Sequence, residues 1–123
     1  MSPNSPKKRQ IAEARGRRAE TVAALYLRLK GYHILARRAK LFCGEIDLIA
    51  RHSNTLVFIE VKYRHHQQTA LTAVSEKSWR RISAAADVWA AGRKSLNNLN
   101  WRYDLISVAP GKLPHHERDF WRP

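Results

Sequence analysis

Two apolar segments separated by a short polar link constrain the fold of this chain more than any other feature. Residues 44–50 and 56–62 are rich in Ile, Val, Leu and Phe, and the link at 51–54 reads Arg-His-Ser-Asn. Apolar, β-branched runs bounded by turn-forming residues are typical of strands. The pattern therefore predicts two antiparallel strands joined by a short hairpin.

Acidic side chains interrupt both predicted strands. Side chains alternate along a strand, so one face is expected to carry Glu45, Asp47 and Ile49 on the first strand and Phe58, Glu60 and Lys62 on the second. A four-residue turn would place Asp47 opposite Phe58, and a two-residue turn would place it opposite Glu60. Either register brings the carboxylates of Asp47 and Glu60 to within roughly 5–8 Å of each other, directly or diagonally.

Two carboxylates this close repel each other and need a cation or a shared proton. A hard divalent ion with oxygen ligands, Mg²⁺ or Mn²⁺, meets that need. Lys62 lies two residues after Glu60 and completes a hydrolytic arrangement. The two strands therefore predict a metal site suited to hydrolysis.

These residues also carry a family resemblance. Asp47, a gap of twelve residues and then Glu60-Val61-Lys62 resembles the D…ExK signature of the PD-(D/E)XK nucleases. The segment GEIDLI at 44–49 followed by FIEVK at 58–62 is similar to the YraN family, and the resemblance extends over about residues 17–108. It implies a fold like that of the archaeal Holliday-junction resolvases.

The resemblance assigns roles to residues of the hairpin and of the first helix. Asp47 and Glu60 are expected to hold Mg²⁺ or Mn²⁺ together with the Val61 carbonyl, and Lys62 to orient the attacking water or neutralise the phosphate. Glu20 matches a first-helix glutamate that approaches the metal site in this family.

The alternative for Glu20 is a surface ion pair on the helix. Arg17 and Arg28 are the candidate partners, and exposed pairs of this kind are common on helices.

The charge of the chain indicates a polyanionic partner. Its 123 residues suffice for one domain, and 23 Lys and Arg against 10 Asp and Glu give a formal net charge of +13. Nucleic acid, DNA in particular, is the favoured partner, and a solvated basic surface is the alternative.

Localisation follows from what the sequence lacks. No apolar run approaches the roughly 18 residues of a membrane span, and no apolar segment follows the basic N-terminus, so no membrane association and a cytoplasmic location are expected. A single cysteine, Cys43, excludes an internal disulfide and a Cys-rich zinc site.

Five basic residues are candidates for nucleic-acid contacts, and two of them lie one turn apart on the second predicted helix. The candidates are Arg37, Arg38, Lys40, Lys77 and Arg81. At Arg38 the chain departs from the resemblance, which expects an asparagine there.

The remaining elements follow from periodicity and breakers. We expect a helix at 8–30, a strand at 32–38, the hairpin, a helix at about 74–91 with Ser75 as N-cap, and a strand at 101–108. A helix between the third and fourth strands permits a parallel crossover. The prediction is one α/β domain at 11–109 with a mixed sheet, flanking helices and a restriction-endonuclease or resolvase-like core, between a flexible basic tail at 1–10 and a C-terminal tail at 110–123.

Several side chains have predicted structural roles. On the first helix an apolar stripe is formed by Ile11, Val22, Leu25 and Leu29, and further apolar surface by Ala23, Ala24 and Leu27. Trp79 and Trp89 are expected in the core, and Arg102 and Asp104 as a structural ion pair. The histidine pairs at 65–66 and 115–116 are expected in solvated segments, with Phe120 and Trp121 anchoring the tail.

The sequence thus favours a divalent-metal-dependent endonuclease that hydrolyses DNA phosphodiester bonds, with branched or structured DNA as one substrate class. The alternative is a nucleic-acid-binding protein of nuclease-like fold without significant catalysis. A third class is a structural protein in which Asp47, Glu60 and Lys62 form an ion-paired cluster. A homodimer is compatible with the sequence.

Overall fold

The computed structural model describes residues 6–64 and 74–123. Its elements in chain order are α1 (Pro6–Leu29), β1 (His33–Leu41), β2 (Gly44–His52), β3 (Thr55–Tyr63), α2 (Glu76–Ala91), a short 3₁₀ helix (Lys94–Leu96), β4 (Asn100–Val108) and β5 (His115–Trp121). The residues at 1–5 and 65–73, which include His65 and His66, lie outside the described part.

The strands form one five-stranded sheet in the order β1-β2-β3-β4-β5. The first three strands are antiparallel, β3 and β4 are parallel, and β5 is antiparallel to β4. Helix α2 connects the parallel pair, as such a pair requires. The prediction of a single α/β domain with a mixed sheet and flanking helices is confirmed.

The two helices cover opposite faces of the sheet, each over its own hydrophobic cluster. The α1-side cluster includes Leu48, Ala50 and Ile59, whereas the α2-side cluster includes Ile49 and Phe58. Neighbouring residues of one strand divide between the clusters because side chains alternate. The central strands β2 and β3 are therefore buried on both faces.

Helix α1 packs through its small residues. Ala19, Ala23, Ala24 and Leu27 are buried, which confirms the predicted second apolar side. The predicted stripe of Ile11, Val22, Leu25 and Leu29 is instead exposed. Small side chains let the helix backbone approach the sheet, and this side also carries the buried Glu20.

Helix α2 agrees with the sequence interpretation. The Ser75 hydroxyl accepts a hydrogen bond from the Ser78 N–H at 3.1 Å and caps the helix. Both Trp79 and Trp89 are buried, and the Trp79 ring stacks on Trp121 with 5.9 Å between centroids. The predicted core and anchoring roles of these tryptophans are confirmed.

The turn between β2 and β3 decides the hairpin register. His52 pairs with Thr55, so the turn contains two residues, and Ser53 has a φ of 54°, as two-residue hairpins require at their first position. Pairing continues to Leu48 and Ile59. This register places Asp47 beside Glu60, the closer of the two predicted alternatives.

The side-chain alternation of β2 is interrupted at Asp47. Ile46 and Ile49 both pack in the α2-side cluster, and Leu48 packs in the α1-side cluster. A strict two-residue alternation cannot place residues 46 and 49 on the same face. The prediction that Glu45, Asp47 and Ile49 share a face is therefore wrong for Ile49.

The termini of the fold also differ from the prediction. Residues His115–Trp121, expected in a C-terminal tail, form the edge strand β5, and α1 begins at Pro6, inside the expected N-terminal tail. Strand β1 continues to Leu41. The sequence of β5 is mostly polar, as an exposed edge strand allows, and so lacks the alternation that identifies a strand.

A buried polar network fastens β5 to β4. Asp104 is fully buried and accepts two hydrogen bonds from Arg102, each of 2.8 Å, and one from the Asp119 N–H at 2.9 Å. Its fourth hydrogen bond is with His116 Nε2 at 2.7 Å. The predicted pair of Arg102 and Asp104 is confirmed, whereas the solvated position predicted for His116 is wrong, because its side chain is only 2% exposed.

The tautomer of His116 follows from its second contact. His116 Nδ1 lies 3.0 Å from Lys30 Nζ, and a protonated lysine can only donate. Nδ1 therefore accepts, and Nε2 carries the hydrogen that is donated to Asp104.

Within the described part of the chain, no helix is long and apolar enough to cross a membrane.

Candidate metal centre and basic surface

Asp47 lies where β2 and β3 stop pairing. The last paired residues are Leu48 and Ile59, and one position further Asp47 Oδ2 accepts a hydrogen bond from the backbone N–H of Val61 at 2.8 Å. A side-chain oxygen thus replaces the backbone partner that β3 loses. We call the space between Asp47 and residues 60–62 the carboxylate notch.

The backbone of Val61 contributes to the notch as well. The N–H and C=O of one strand residue face the same neighbouring strand, so the Val61 carbonyl also faces the side on which Asp47 lies. The ladder between β2 and β3 has ended there. The position is consistent with the predicted role of this carbonyl as a ligand.

Glu60 is the most perturbed acid of the notch. Burial, followed by a hydrogen bond and charge repulsion from Asp47, raises the pKa of Glu60 to about 9, against the opposing effect of Lys62. Glu60 Oε2 lies 3.8 Å from Lys62 Nζ. Without a bound cation, a proton on Glu60 therefore relieves the repulsion between the two carboxylates.

Glu20 approaches the notch from α1. It is a buried residue, and burial, then the charges of Asp47 and Glu45, raise its pKa. Its Oε1 atom has no hydrogen-bond partner among the described residues. Arg38 Nε lies 3.5 Å away, close enough for an ion pair but without hydrogen-bond geometry.

The ion pair of Glu20 differs from the predicted alternative. Its partner is Arg38 on β1 rather than Arg17 or Arg28 on its own helix. Arg38 has a φ of 52°, a conformation that asparagine tolerates better than arginine. The expected asparagine at this position thus matches the backbone, and the arginine of this chain adds a cation beside Glu20.

The donor set fits a hard divalent cation. No three His, Cys, Asp or Glu side chains in the ranges 6–64 and 74–123 are arranged to hold a metal ion, and the predicted ligands are two carboxylates and one carbonyl. Mg²⁺ binds proteins through one or two carboxylates and retains several waters. Glu20 Oε1, which has no hydrogen-bond partner among the described residues, and the raised pKa of Glu60 indicate a concentration of negative charge that such a cation would neutralise.

The predicted basic residues of β1 lie close to this centre. Arg37 is exposed and donates to the Thr21 hydroxyl at 2.8 Å, which fixes its side chain over α1. Arg38 is engaged with Glu20, and Lys40 is exposed.

The predicted basic residues of α2 are both exposed. Lys77 and Arg81 lie one turn apart, and Arg81 lines a shallow cavity together with Lys40. The structure therefore brings together Lys40 and Arg81, which are 41 positions apart in the chain.

One residue of this cavity was missed by the sequence analysis. Phe42 lies in the turn between β1 and β2 and is 92% exposed. A large aromatic residue in a short turn is the sequence feature that could have identified Phe42. The turn was not recognised because the strand before it was predicted to end at residue 38.

Comparison with known proteins gives the family. The model of the uncharacterised protein family UPF0102 matches residues 19–108. A UPF0102 protein of Maricaulis maris is 49% identical over 115 residues, which cover 94% of this chain and 91% of that protein. The corresponding protein of Rhizobium johnstonii is 48% identical over 111 residues, covering 90% and 91%, and that of Bartonella tribocorum 48% over 117 residues, covering 94% and 90%. The chain belongs to the uncharacterised protein family UPF0102, which is the YraN family of the resemblance.

Proposed function

We propose that this protein is a divalent-metal-dependent nuclease that hydrolyses phosphodiester bonds in DNA. The observation that carries the proposal is the carboxylate notch, in which Asp47 and Glu60 lie side by side with Lys62 at 3.8 Å from Glu60. A protein that only binds phosphates gains nothing from acids placed beside its basic surface. A nuclease needs them to hold a cation.

Asp47, Glu60 and the Val61 carbonyl would hold Mg²⁺ or Mn²⁺. When bound, the ion supplies Lewis acidity and positive charge at the scissile phosphate. The chain restrains this ligand set, because the Val61 N–H holds the Asp47 carboxylate and the ion pair with Lys62 orients Glu60.

Lys62 has a separate task. Its ammonium lies at the notch and its side chain is 31% exposed, so it can reach a phosphate oxygen or the attacking water. A positive charge placed there stabilises the negative charge that develops on the phosphate in the transition state.

Glu20 and Arg38 complete the surroundings. Glu20 adds negative charge near the ligands. Arg38, whose side chain is 42% exposed, can break its ion pair with Glu20 and bind a DNA phosphate instead. Both are positioning residues in this account, since neither contacts the notch carboxylates through a hydrogen bond in the described structure.

A binding module without catalysis is the second candidate. One observation favours it, namely that the pKa of Glu60 beside Asp47 is raised to about 9, so protonation of Glu60 would relieve the repulsion in the notch without a cation. Turnover separates the two functions directly.

The test is a cleavage assay with Mn²⁺ or Mg²⁺ on linear, nicked, flapped and four-way DNA. We expect cleavage of at least one substrate that stops when the metal is chelated. DNA binding without cleavage on all four substrates would establish the binding module instead.

Variants of Lys62 distinguish most sharply between a catalytic lysine and an ordinary phosphate contact. Lys62→Ala should lower turnover by about a hundredfold or more, the usual scale for a positioned electrostatic group. Its DNA affinity should change little, because one phosphate contact among several contributes a small share of binding. Cleavage rate and equilibrium binding are measured on the same DNA.

Lys62→Arg is the matched control for charge. The guanidinium is bulkier and fits the notch differently, so we expect no rescue. Equal loss of turnover and affinity in Lys62→Ala, restored by arginine, would make Lys62 an ordinary phosphate contact.

A further inference from the structure

The turn between β1 and β2 presents an aromatic side chain to solvent. Leu41 pairs with Gly44 and Lys40 with Glu45, so the turn itself is only Phe42 and Cys43. Phe42 is 92% exposed. We call residues 40–45 the hairpin tip.

The hairpin tip is held rigidly against α2. A Cβ atom on Gly44 would lie 2.9 Å from the Arg81 carbonyl oxygen, so the two backbones are in close contact. Leu41 and Cys43 pack against the α2-side cluster. The residues on both sides of Phe42 are therefore packed against the protein, while Phe42 itself is exposed.

Two cations line the same cavity as the exposed ring. Lys40, Phe42 and Arg81 line one shallow cavity of about 440 Å³, in which Glu45 is the single acid among the described lining residues. An aromatic between two basic residues suits a ligand with stacked planar groups and flanking phosphates.

The hairpin tip is also connected to the carboxylate notch. Gly44 and Asp47 are three residues apart on β2, which is roughly 10 Å at the rise of a strand. A nucleic acid whose phosphate lies at the notch therefore passes the tip within a few nucleotides.

We propose that Phe42 is a wedge that inserts into the base stack of DNA bound at the notch, while Lys40 and Arg81 contact the adjacent phosphates. Apolar side chains inserted between base steps unstack and kink DNA. Unstacking costs least where stacking is already interrupted, so the wedge selects nicked or branched DNA over continuous duplex. This inference rests on the proposed function, because it names the substrate class of that site.

Charge complementarity favours DNA as the occupant. The exposed ring shares its cavity with two cations, and the chain as a whole carries +13. A second copy of this protein would bring the same cations against them, which is unfavourable. An anionic lipid surface is the other polyanion that the chemistry allows. Binding to anionic vesicles distinguishes it from DNA.

The experiment measures binding without cleavage, in buffer with chelator. The probes are one nicked duplex and one continuous duplex of the same sequence, with 2-aminopurine beside the nick. The proteins are the parent chain, Phe42→Ala, Phe42→Trp and Leu29→Ala. Leu29 is the matched control because it is 88% exposed and lies on α1, away from the hairpin tip.

We expect the parent to raise 2-aminopurine fluorescence and to prefer the nicked duplex. Phe42→Ala should lose the fluorescence change and weaken binding to the nicked duplex by about 5- to 100-fold, the range for loss of one base–aromatic contact. Its affinity for the continuous duplex should stay within about twofold, because phosphate contacts dominate there. Phe42→Trp and Leu29→Ala should behave like the parent.

Three results would overturn the wedge. One is equal weakening on both duplexes, and another is an unchanged fluorescence response in Phe42→Ala. The third is a Phe42→Ala variant that binds DNA normally but has lost another interaction. Loss of self-association would assign the tip to a second copy, and loss of binding to anionic vesicles would assign it to a lipid surface. If the parent chain binds neither duplex, the wedge fails, and the cleavage assay with Mn²⁺ or Mg²⁺ decides the proposed function separately.

Discussion

The buried carboxylates of this protein are neutralised to different degrees. Asp104 receives hydrogen bonds from Arg102, His116 and the Asp119 backbone, so every oxygen has a strong donor. Glu20 has an ion pair with Arg38 at 3.5 Å but an oxygen without a hydrogen-bond partner in the described structure. A charge that a fold leaves under-compensated, next to a cluster of perturbed acids, supports the proposal of a functional site there.

Asp104 gives a prediction about stability and pH. Burial alone would raise its pKa, but the hydrogen bonds from His116, Arg102 and the Asp119 N–H outweigh burial and lower it. A carboxylate with a lowered folded-state pKa adds stability above its unfolded value of about 3.9 and loses it as the pH falls. Asp104→Asn should reduce the free energy of unfolding at pH 7 by about 3–5 kcal/mol. Below about pH 4 the free energy of unfolding of the variant should fall less steeply with pH than that of the parent.

Urea denaturation at several pH values measures both effects. Asp87→Asn is the control, because Asp87 is exposed on α2. An Asp104→Asn variant as stable as the parent at pH 7 would contradict the structural role of the network.

At the scale of elements, the hairpin and α2 follow directly from the sequence. Their apolar periodicity and caps are local signals, and the Asp47–Glu60 pair needs only the turn length to be located. The position of α1 could not be predicted in the same way. Its buried side is set by small residues that approach the sheet, whereas its larger apolar residues, such as Leu25 and Leu29, remain exposed.

Strand β5 and the end of β1 could not be predicted, for a related reason. An edge strand needs little apolar surface, and the buried side chain of His116 contacts Asp104, Lys30 and Tyr32, which are distant in the sequence. Contacts between distant segments leave no periodic signal. The same holds for the ion pair of Glu20 with Arg38, which depends on a left-handed backbone at residue 38.

Two glycines test how elements are docked. Gly44→Ala should lower the free energy of unfolding by about 1–3 kcal/mol, the usual scale for overpacking, because the added Cβ would meet the Arg81 carbonyl at 2.9 Å.

Gly16→Ala is the contrasting variant, because Gly16 lies in α1 with nothing within 4 Å of the added atom. It should stabilise the protein by about 0.5–1 kcal/mol through helix propensity. Chemical denaturation measures both, and the same sign for the two variants would contradict the docking of the hairpin tip.

At the scale of the whole molecule, a large excess of positive charge coexists with a small cluster of acids. The net charge is +13, yet the notch gathers Asp47, Glu60 and nearby Glu20. A basic surface attracts DNA at long range, and a cation at the notch would let the backbone approach the acids. The two features are complementary parts of the proposed nuclease.

The charge predicts a steep salt dependence of DNA binding. If four or five basic residues neutralise phosphates, a rise from 50 to 200 mM salt should lower affinity on the order of 100- to 500-fold through counterion release. Titrations of labelled duplex at several salt concentrations measure the slope. A flat response would show that phosphate contacts do not dominate binding.

The central claim is that Asp47 and Glu60 form a divalent-cation site. The most direct measurement is calorimetric titration of Mn²⁺ into the DNA-free protein, compared among the parent, Asp47→Asn and the control Asp87→Asn. We expect one binding event in the parent and in Asp87→Asn, and its loss in Asp47→Asn with the fold retained, because the amide preserves the shape of the side chain but removes the charge that holds the ion. Equal Mn²⁺ binding by the parent and Asp47→Asn, or binding by neither, would contradict the account.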